Sequence, residues 1–370
     1  MNAPLRIDLA GYSREATLGD HRAFLAFFEE AERLGFDGVW FHEFRLLPAG
    51  GPYPSPMLLA AALLARTQRL RVGVSALVLP LHHPLLLAEE IAQLDLQSDG
   101  RFDVGVGRGT DASTLRALQI DPASTRERFE RACLLLRDAL SGKAVSSSEG
   151  PWRFDAQTVG PVGSQRQHPQ HPPLYIAGST AETMGFAVAH GLPLLLSLEP
   201  PETAQLAHVE AAFAQRGREG QARMLASSSL SRYVCIGATQ AAARAQADRL
   251  LPLLYARRLH FARLRGVLPE QVPPLDAARV LREQVVLGDP QDCVAQVEQL
   301  VARTGVRQLR CVFNGNGVLA SGEALEGMRL FAQEAMPALR AQQARQAQHA
   351  LQAMHSNQAQ GPKHPPPHTA

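Results

Sequence analysis

Short apolar runs and amphipathic runs take turns along most of this 370-residue chain, and that alternation restricts the fold more than any single motif. Residues 7–12 read as a first strand. The next segment is helical, with Phe24, Phe27, Phe28, Ala31 and Leu34 on one face and Glu29, Glu30, Glu32 and Arg33 mostly elsewhere. Gly35 stops that helix, and residues 38–41 form a second strand. Pro48, Pro52, Pro54 and Pro56 hold the following loop out of helix until a helix over 55–66. A third strand spans 70–79, Pro84 suits the first turn of a third helix, and a fourth strand at 102–106 precedes a helix over 125–140. Strands at 174–177, 192–197, 229–236 and 306–313, each followed by helix-like sequence, bring the count to eight βα units. Eight such units favour an α/β fold of the closed, parallel (β/α)8 TIM-barrel type over an open doubly wound sheet.

The rhythm breaks in three places. Residues 141–172 are rich in Gly, Ser, Pro and Gln and read as a surface excursion. Residues 251–288 carry Arg257, Arg258, Arg263, Arg265 and Arg282. An insertion there, after a late strand, hangs near the C-terminal mouth of a barrel, as a lid or equally as a packing or dimer-facing excursion. Residues 341–370 are rich in Gln, Ala, His and Pro; their first half can extend the last helix and the rest is expected to be disordered. The barrel domain is therefore placed at 1–340.

Composition narrows the function classes. Lys plus Arg (37) nearly balance Asp plus Glu (35), so no basic stripe points to nucleic acid. No apolar run reaches the roughly 18 residues of a membrane span. Residues 1–9 lack the basic head and apolar stretch of a signal peptide, and the expectation is a soluble cytoplasmic protein. Cys133, Cys235, Cys293 and Cys311 are far apart without metal-ligand spacing and read as buried, inert thiols; no metal site is expected.

The most telling local stretch is Ser98-Asp99-Gly100-Arg101-Phe102-Asp103-Val104-Gly105-Val106-Gly107-Arg108-Gly109. It reads as a helix stop at Gly100, a short buried strand, and then glycines and an arginine at the strand's carboxyl end. Gly105, Gly107 and Gly109 let backbone approach an anion, and Arg108 offers a planar fork of donors. Ligands of α/β proteins sit at carboxyl ends of strands, so a phosphate-bearing cofactor is expected here.

With these residues assembled, the chain resembles the bacterial luciferase-like flavin monooxygenase family over about residues 5–340. The likeness rests on an ordered set: Ala31-Glu32-Arg33-Leu34-Gly35-Phe36-Asp37-Gly38-Val39-Trp40, Leu70-Arg71-Val72-Gly73, Leu79-Pro80, His83-Pro84, Glu89, Asp95 and Gly100 to Gly109. Ile176-Ala177-Gly178-Ser179, Gly288-Asp289-Pro290 and the run 331–339 extend it. The resemblance implies a barrel that binds FMN, usually reduced, at its strands' carboxyl ends. It implies that O2 forms a flavin C4a-hydroperoxide that oxidises a small organic substrate. A separate NAD(P)H-dependent flavin reductase is the implied partner, and a homodimer through the early barrel helices the implied assembly. Residue by residue, Arg108 resembles the arginine gripping the flavin phosphate, beside Gly107, and Ser179 with the Gly178 backbone resembles a second phosphate-binding turn. Ser75-Ala76 resembles a non-prolyl cis peptide beneath the flavin ring.

Two departures stand out. Light-emitting members carry Glu-His-His after the second strand, where this chain has Glu43-Phe44-Arg45. His42 lies two residues from Phe44, on the same side of an extended chain, and is the candidate replacement as proton donor or flavin contact. A hydrogen-bonded barrel histidine is the equal alternative. Gly107 stands where light-emitting subunits have a reactive cysteine, so light emission from a long-chain aldehyde is not expected. Glu43 is a further catalytic candidate, as a partner of an arginine or of the flavin ribityl chain, with a structural salt bridge as its alternative. His82 and His83 are weaker candidates, His83 reading better as a helix cap, and Trp40 and Phe44 wall the ring or belong to the core. Competing functions are a deazaflavin-dependent oxidoreductase, a flavin-binding partner subunit without turnover and, last, a metal-dependent barrel hydrolase, for which a His-x-His pair on the first strand is missing.

Overall fold

The computed structural model describes residues 4–12, 20–46, 53–109, 111–161, 172–264, 267–315, 317, 319–345 and 348. Eleven strands are described: β1 Arg6–Ala10, β2 Gly38–Phe41, β3 Arg71–Val78, β4 Phe102–Gly107, β5 Val145–Ser147, β6 Phe154–Gln157, β7 Leu174–Ala177, β8 Leu194–Leu196, β9 Ser229–Ile236, β10 Val285–Gly288 and β11 Gln308–Val312. Eight of them pair in parallel in the order β1-β2-β3-β4-β7-β8-β9-β11. Leu195 opposite Ser229 joins β8 to β9, and Ile7 opposite Leu309 returns β11 to β1, so the sheet closes into a barrel. The expected (β/α)8 architecture is the observed one.

Helix ends follow the punctuation read in the sequence. Gly35 caps the helix His21–Leu34 in the left-handed region at φ 89°, which costs glycine little. The Ser55 side chain caps Pro56–Leu64, and His83 caps Pro84–Gln97 by accepting from the Leu85 N–H at 3.3 Å. His83 is thus a helix cap and is exposed.

Two segments differ from expectation. Residues 251–288 are not one excursion: the helix Gln240–Leu264 occupies the start, and a helix at Ala277–Gln284 leads into β10. That ninth strand pairs with the upper part of β9, Val285 opposite Tyr233, along the edge that β8 leaves after Leu196. The short Val285-Val286-Leu287 run bounded by Gly288 carries the signal, and its position inside an arginine-rich stretch hides it. Within 141–172, β5 and β6 form an antiparallel hairpin with Val145, Trp152 and Val159 buried, while residues 162–171 lie outside the described residues. Of the tail, residues 341–345 continue the last helix; 346, 347 and 349–370 lie outside the described residues.

The strand period of two sorts side chains between two cores. Leu9, Val39, Phe41, Val72, Val74 and Val104 belong to the larger apolar cluster, with Phe28, Ile91 and Leu136 of the surrounding helices. Their neighbours face the barrel interior. There Arg6 bridges Asp8 (2.8 Å) and Asp103 (2.7 Å), and Arg71 also holds Asp103 at 2.7 Å. Trp40 is fully buried among them, donating from Nε1 to Asp8 at 2.6 Å and meeting Tyr175 edge-on at 5.4 Å. A Cβ on Gly73 would lie 2.4 Å from the Trp40 ring, which is why that strand carries glycine there. This plug fills the lower barrel and leaves the carboxyl ends of the strands open. All four cysteines are buried and free, and burial pushes the thiols of Cys133, Cys235 and Cys293 up to about 12.

Candidate functional site

A cavity of about 590 Å³ opens at the carboxyl ends of the strands, a volume suited to a tricyclic ring and a second small molecule. His42, Ser75, Ala76, Gly107, Arg108, Gly178 and Ser179 all line it. Seven of the eight residues that the sequence nominated for cofactor and chemistry thus meet in one cavity.

Its β4–β7 side is suited to a phosphate. Arg108 is exposed at the rim, and among the described residues nothing pairs with its guanidinium. On the neighbouring strand, β7 is followed by Gly178 and Ser179, and Thr180 caps the helix Ala181–His190 by accepting from the Thr183 N–H at 3.3 Å. The dipole of that helix start adds positive potential beside the arginine, while Thr180 takes the Thr183 N–H and the Glu182 carboxylate takes its own. A Cβ on Gly178 would lie 2.6 Å from Cγ2 of Thr183, so glycine lets the turn close onto the helix. The three glycines of β4 and its turn have distinct reasons. A Cβ on Gly105 would strike Leu195 at 2.4 Å, and Gly109 combines φ +73° with a 2.4 Å contact to Val78. Gly107 and Gly109 line the cavity and Gly105 does not; at Gly107 a Cβ would sit 3.5 Å from that of Ala76. The expectation that all three glycines face an anion is corrected for Gly105, which packs against Leu195 outside the cavity.

The ring side is built on β3. The Ser75–Ala76 peptide is cis, as the resemblance implies, and the β3–β4 register shifts between Val74 and Leu77. His42 Nδ1 donates to the Ser75 carbonyl and lies 3.4 Å from Ser75 Oγ. The residues fit a flavin mononucleotide: an unpaired guanidinium and a helix start for the phosphate, and a shelf without large side chains for the ring.

Glu43 does not line this cavity. Its carboxylate is buried, accepting from the Val78 N–H at 2.7 Å, from His82 Nε2 at 3.0 Å and from Arg45 Nε at 2.7 Å. Burial disfavours its charge, but His82, the Val78 amide and Arg45 outweigh that and hold the carboxyl below its usual range. Glu43 thus ties the end of β3 to the loop after β2, the arrangement of the salt-bridge alternative. His82 is its partner, outside the cavity. Trp40 belongs to the barrel core, and Phe44 meets the His42 ring edge-on at 6.0 Å.

The half of the mouth built by β9, β11 and the helix Gln240–Leu264 holds residues of which the sequence marked only the arginines of that helix. Tyr233, Arg257, Arg258 and Arg310 line it, and Arg257 donates to the Tyr233 hydroxyl and, at 2.9 Å, to the Gly315 carbonyl. Arg310 and Tyr233 go unnoticed in sequence because every residue of β9 and β11 is buried, so polar and apolar positions do not alternate visibly.

A family model described as luciferase-like monooxygenase matches residues 3–308. The chain is 26% identical over 338 residues to an alkanal monooxygenase alpha chain of Photorhabdus luminescens, covering 85% of this chain and 90% of that one. It is 28% identical over 321 residues to a limonene 1,2-monooxygenase of Rhodococcus erythropolis, covering 84% and 79%. Among solved structures, a monooxygenase from Streptomyces bottropensis superposes with TM-score 0.72 at 23% identity over 90% of this chain and 99% of that one. The oxygenating constituent of 3,6-diketocamphane monooxygenase of Pseudomonas putida, in complex with FMN, gives 0.64 at 16% identity, covering 90% and 99%. A coenzyme F420 dependent tetrahydromethanopterin reductase of Methanopyrus kandleri also gives 0.64, at 18% identity, covering 91% and 100%. These three likenesses concern the fold.

Proposed function

The chain belongs to the luciferase-like monooxygenase family, and on that premise we propose that it oxidises a small organic substrate with reduced FMN and O2. The observation that carries this reading is the meeting of Arg108, the Gly178-Ser179 turn and the Ser75–Ala76 shelf around one cavity. Reduced FMN, when bound, supplies two electrons to O2, so that one oxygen atom enters the substrate and the other leaves as water. The protein's part is binding, orientation and exclusion of water. Arg108 and the helix start hold the phosphate, Ser75, Ala76 and Gly107 support the ring, and His42 holds the Ser75 carbonyl and offers a proton. Residues 251–264 serve as the cover through Leu254, Arg257 and Arg258.

A separate NAD(P)H-dependent reductase is proposed as the source of reduced FMN. A homodimer is proposed through the early barrel helices, where Leu58 and Leu86 are 74% and 61% exposed. The second reading, hydride transfer with a deazaflavin, is favoured by the F420-dependent neighbour of equal superposition. The test supplies the protein with reduced FMN, generated by an added NADPH-dependent reductase, and 18O2 across aldehydes, ketones, sulfur compounds, terpenoids and organic acids. Oxygen uptake with one labelled atom in the product supports the proposal. Anaerobic turnover with reduced F420 and no uptake with FMN would transfer the chain to the second reading.

A further inference from the structure

Two arginines on the barrel strands are buried almost completely, and they are treated differently. Arg232, 3% exposed on the outer face of β9, meets the Glu202 carboxylate at 2.6 Å. Arg310, 4% exposed on β11, has no carboxylate partner among the described residues. Its Nε donates to Ser229 Oγ at 2.8 Å and its Nη2 to the Leu196 carbonyl at 2.8 Å, both neutral acceptors. The guanidinium lies 5.7 Å from the Trp40 ring and lines the floor of the mouth. Asp8, whose charge reaches it, is already held by Arg6, Trp40 and Gln308. Burial accordingly pulls Arg310 down to about 10, a cation in want of a counter-charge.

Among the described residues lining the cavity, nothing else supplies that counter-charge. Arg257 and Arg258 are cations themselves, Arg258 without a partner among the described residues, and Glu199, the only carboxylate among the described lining residues, is exposed. The cofactor's phosphate does not reach Arg310 on the reading above. In the ring of eight strands, three lie between β4, which carries Arg108, and β11 in either direction, so the two arginines stand on opposite walls.

We propose that the organic substrate is a carboxylic acid whose carboxylate is bound on the β9–β11 side of the mouth, by Arg310 from the floor and Arg258 from the covering helix. This rests on the functional reading, which leaves that half of the cavity to the substrate. A guanidinium accepts a carboxylate through two parallel N–H donors, and in a site shielded from water that contact discriminates strongly against a neutral amide of the same shape.

The test titrates hexanoate, decanoate and benzoate, each against its amide, into the FMN-loaded protein by calorimetry, with the flavin absorbance as a second readout. At least one acid is expected to bind about tenfold or more tighter than its amide, the scale of a hydrogen bond to a charged group. Arg310→Gln is expected to remove that preference, and Arg258→Gln, at a half-buried position remote from the core, to reduce it. Acids and amides binding alike, or no acid binding at all, would overturn the proposal. So would an Arg310→Gln protein that keeps acid binding but shifts the midpoint potential of bound FMN, because the cation would then serve the ring. Repeating the titration without FMN separates the two readings. If FMN fails to bind while the acid preference persists and depends on Arg310, the cofactor assignment falls and the carboxylate site stands.

Discussion

His42 donates from Nδ1 to the carbonyl oxygen of Ser75, the residue joined to Ala76 by a cis peptide bond. A carbonyl only accepts, so the proton sits on Nδ1, and Nε2 is the nitrogen through which the ring exchanges a proton. On the proposed function one side chain joins two tasks, holding the flavin shelf and serving the reaction. Asparagine can place its amide N–H near Nδ1 but has nothing at Nε2. His42→Asn is expected to keep FMN affinity within about threefold while slowing substrate oxidation by about 100-fold, the low end for general acid–base groups. His42→Ala should lose affinity as well. Fluorescence titration and steady-state rates measure the two effects separately, and full activity in His42→Asn would leave the ring a purely structural role.

Gly107 has room for a Cβ at ordinary contact distance where Gly105 and Gly109 do not. Gly107→Leu should fold with an unchanged melting temperature, because its Cβ meets neighbours only at 3.5 Å, yet its side chain should occupy the ring site and abolish FMN binding. Gly105→Leu should instead unfold or fail to accumulate, since its Cβ would lie 2.4 Å from both Leu195 and the Val74 carbonyl. Circular dichroism melts beside flavin titrations distinguish these outcomes.

The Asp103 carboxylate balances Arg6 and Arg71 at the base of the barrel, and those two cations hold it well below its usual range even though burial acts the other way. Asp103→Asn removes the carboxylate that Arg71 and Arg6 share, leaving Arg6 to Asp8 alone. Denaturant unfolding should show a loss of about 3 kcal/mol or more.

Glu43 carries a pH dependence. Its folded carboxyl lies below the ordinary 4.5, so its stabilising contribution is complete above that value and is lost as pH falls through the lower, folded one. Glu43→Gln removes the charge at every pH. The stability difference between wild type and Glu43→Gln should be constant near neutrality and shrink as pH drops below 4.5, and a difference that grew on acidification would contradict the assigned bonds.

Leu58 and Leu86 are exposed leucines on the helices after β2 and β3. If the homodimer forms there, Leu58→Glu with Leu86→Glu should shift sedimentation from dimer to monomer, and a wild-type monomer would remove that interface from the account.

Local chemistry is where the sequence speaks most clearly. Gly35, Ser55 and Pro84 mark helix ends because capping and φ preference depend on neighbouring residues alone. Arg108, Ser179 and Ser75-Ala76 are legible through family likeness, because each sits at the end of a strand whose partners are fixed by the barrel. What the sequence hides depends on pairing over long separations. Trp40 reads as a ring wall or a core residue until its indole is seen bonded to Asp8, 32 positions away. Glu43 reads as a catalytic candidate or a structural salt bridge, and its partners Val78 and His82 lie 35 and 39 positions away. Arg310 shows no signal, since its neighbours Ser229 and Leu196 come from other strands.

The phosphate clamp is the centre of this account, and a comparison of FMN with riboflavin, which lacks the phosphate, tests it most directly. Fluorescence titrations of both flavins should give the wild type a preference for FMN of about tenfold or more, the scale of a charge-assisted bond, and Arg108→Ala should erase most of it with riboflavin binding unchanged. Equal affinities for the two flavins in the wild type, or an FMN preference that survives Arg108→Ala intact, would contradict it.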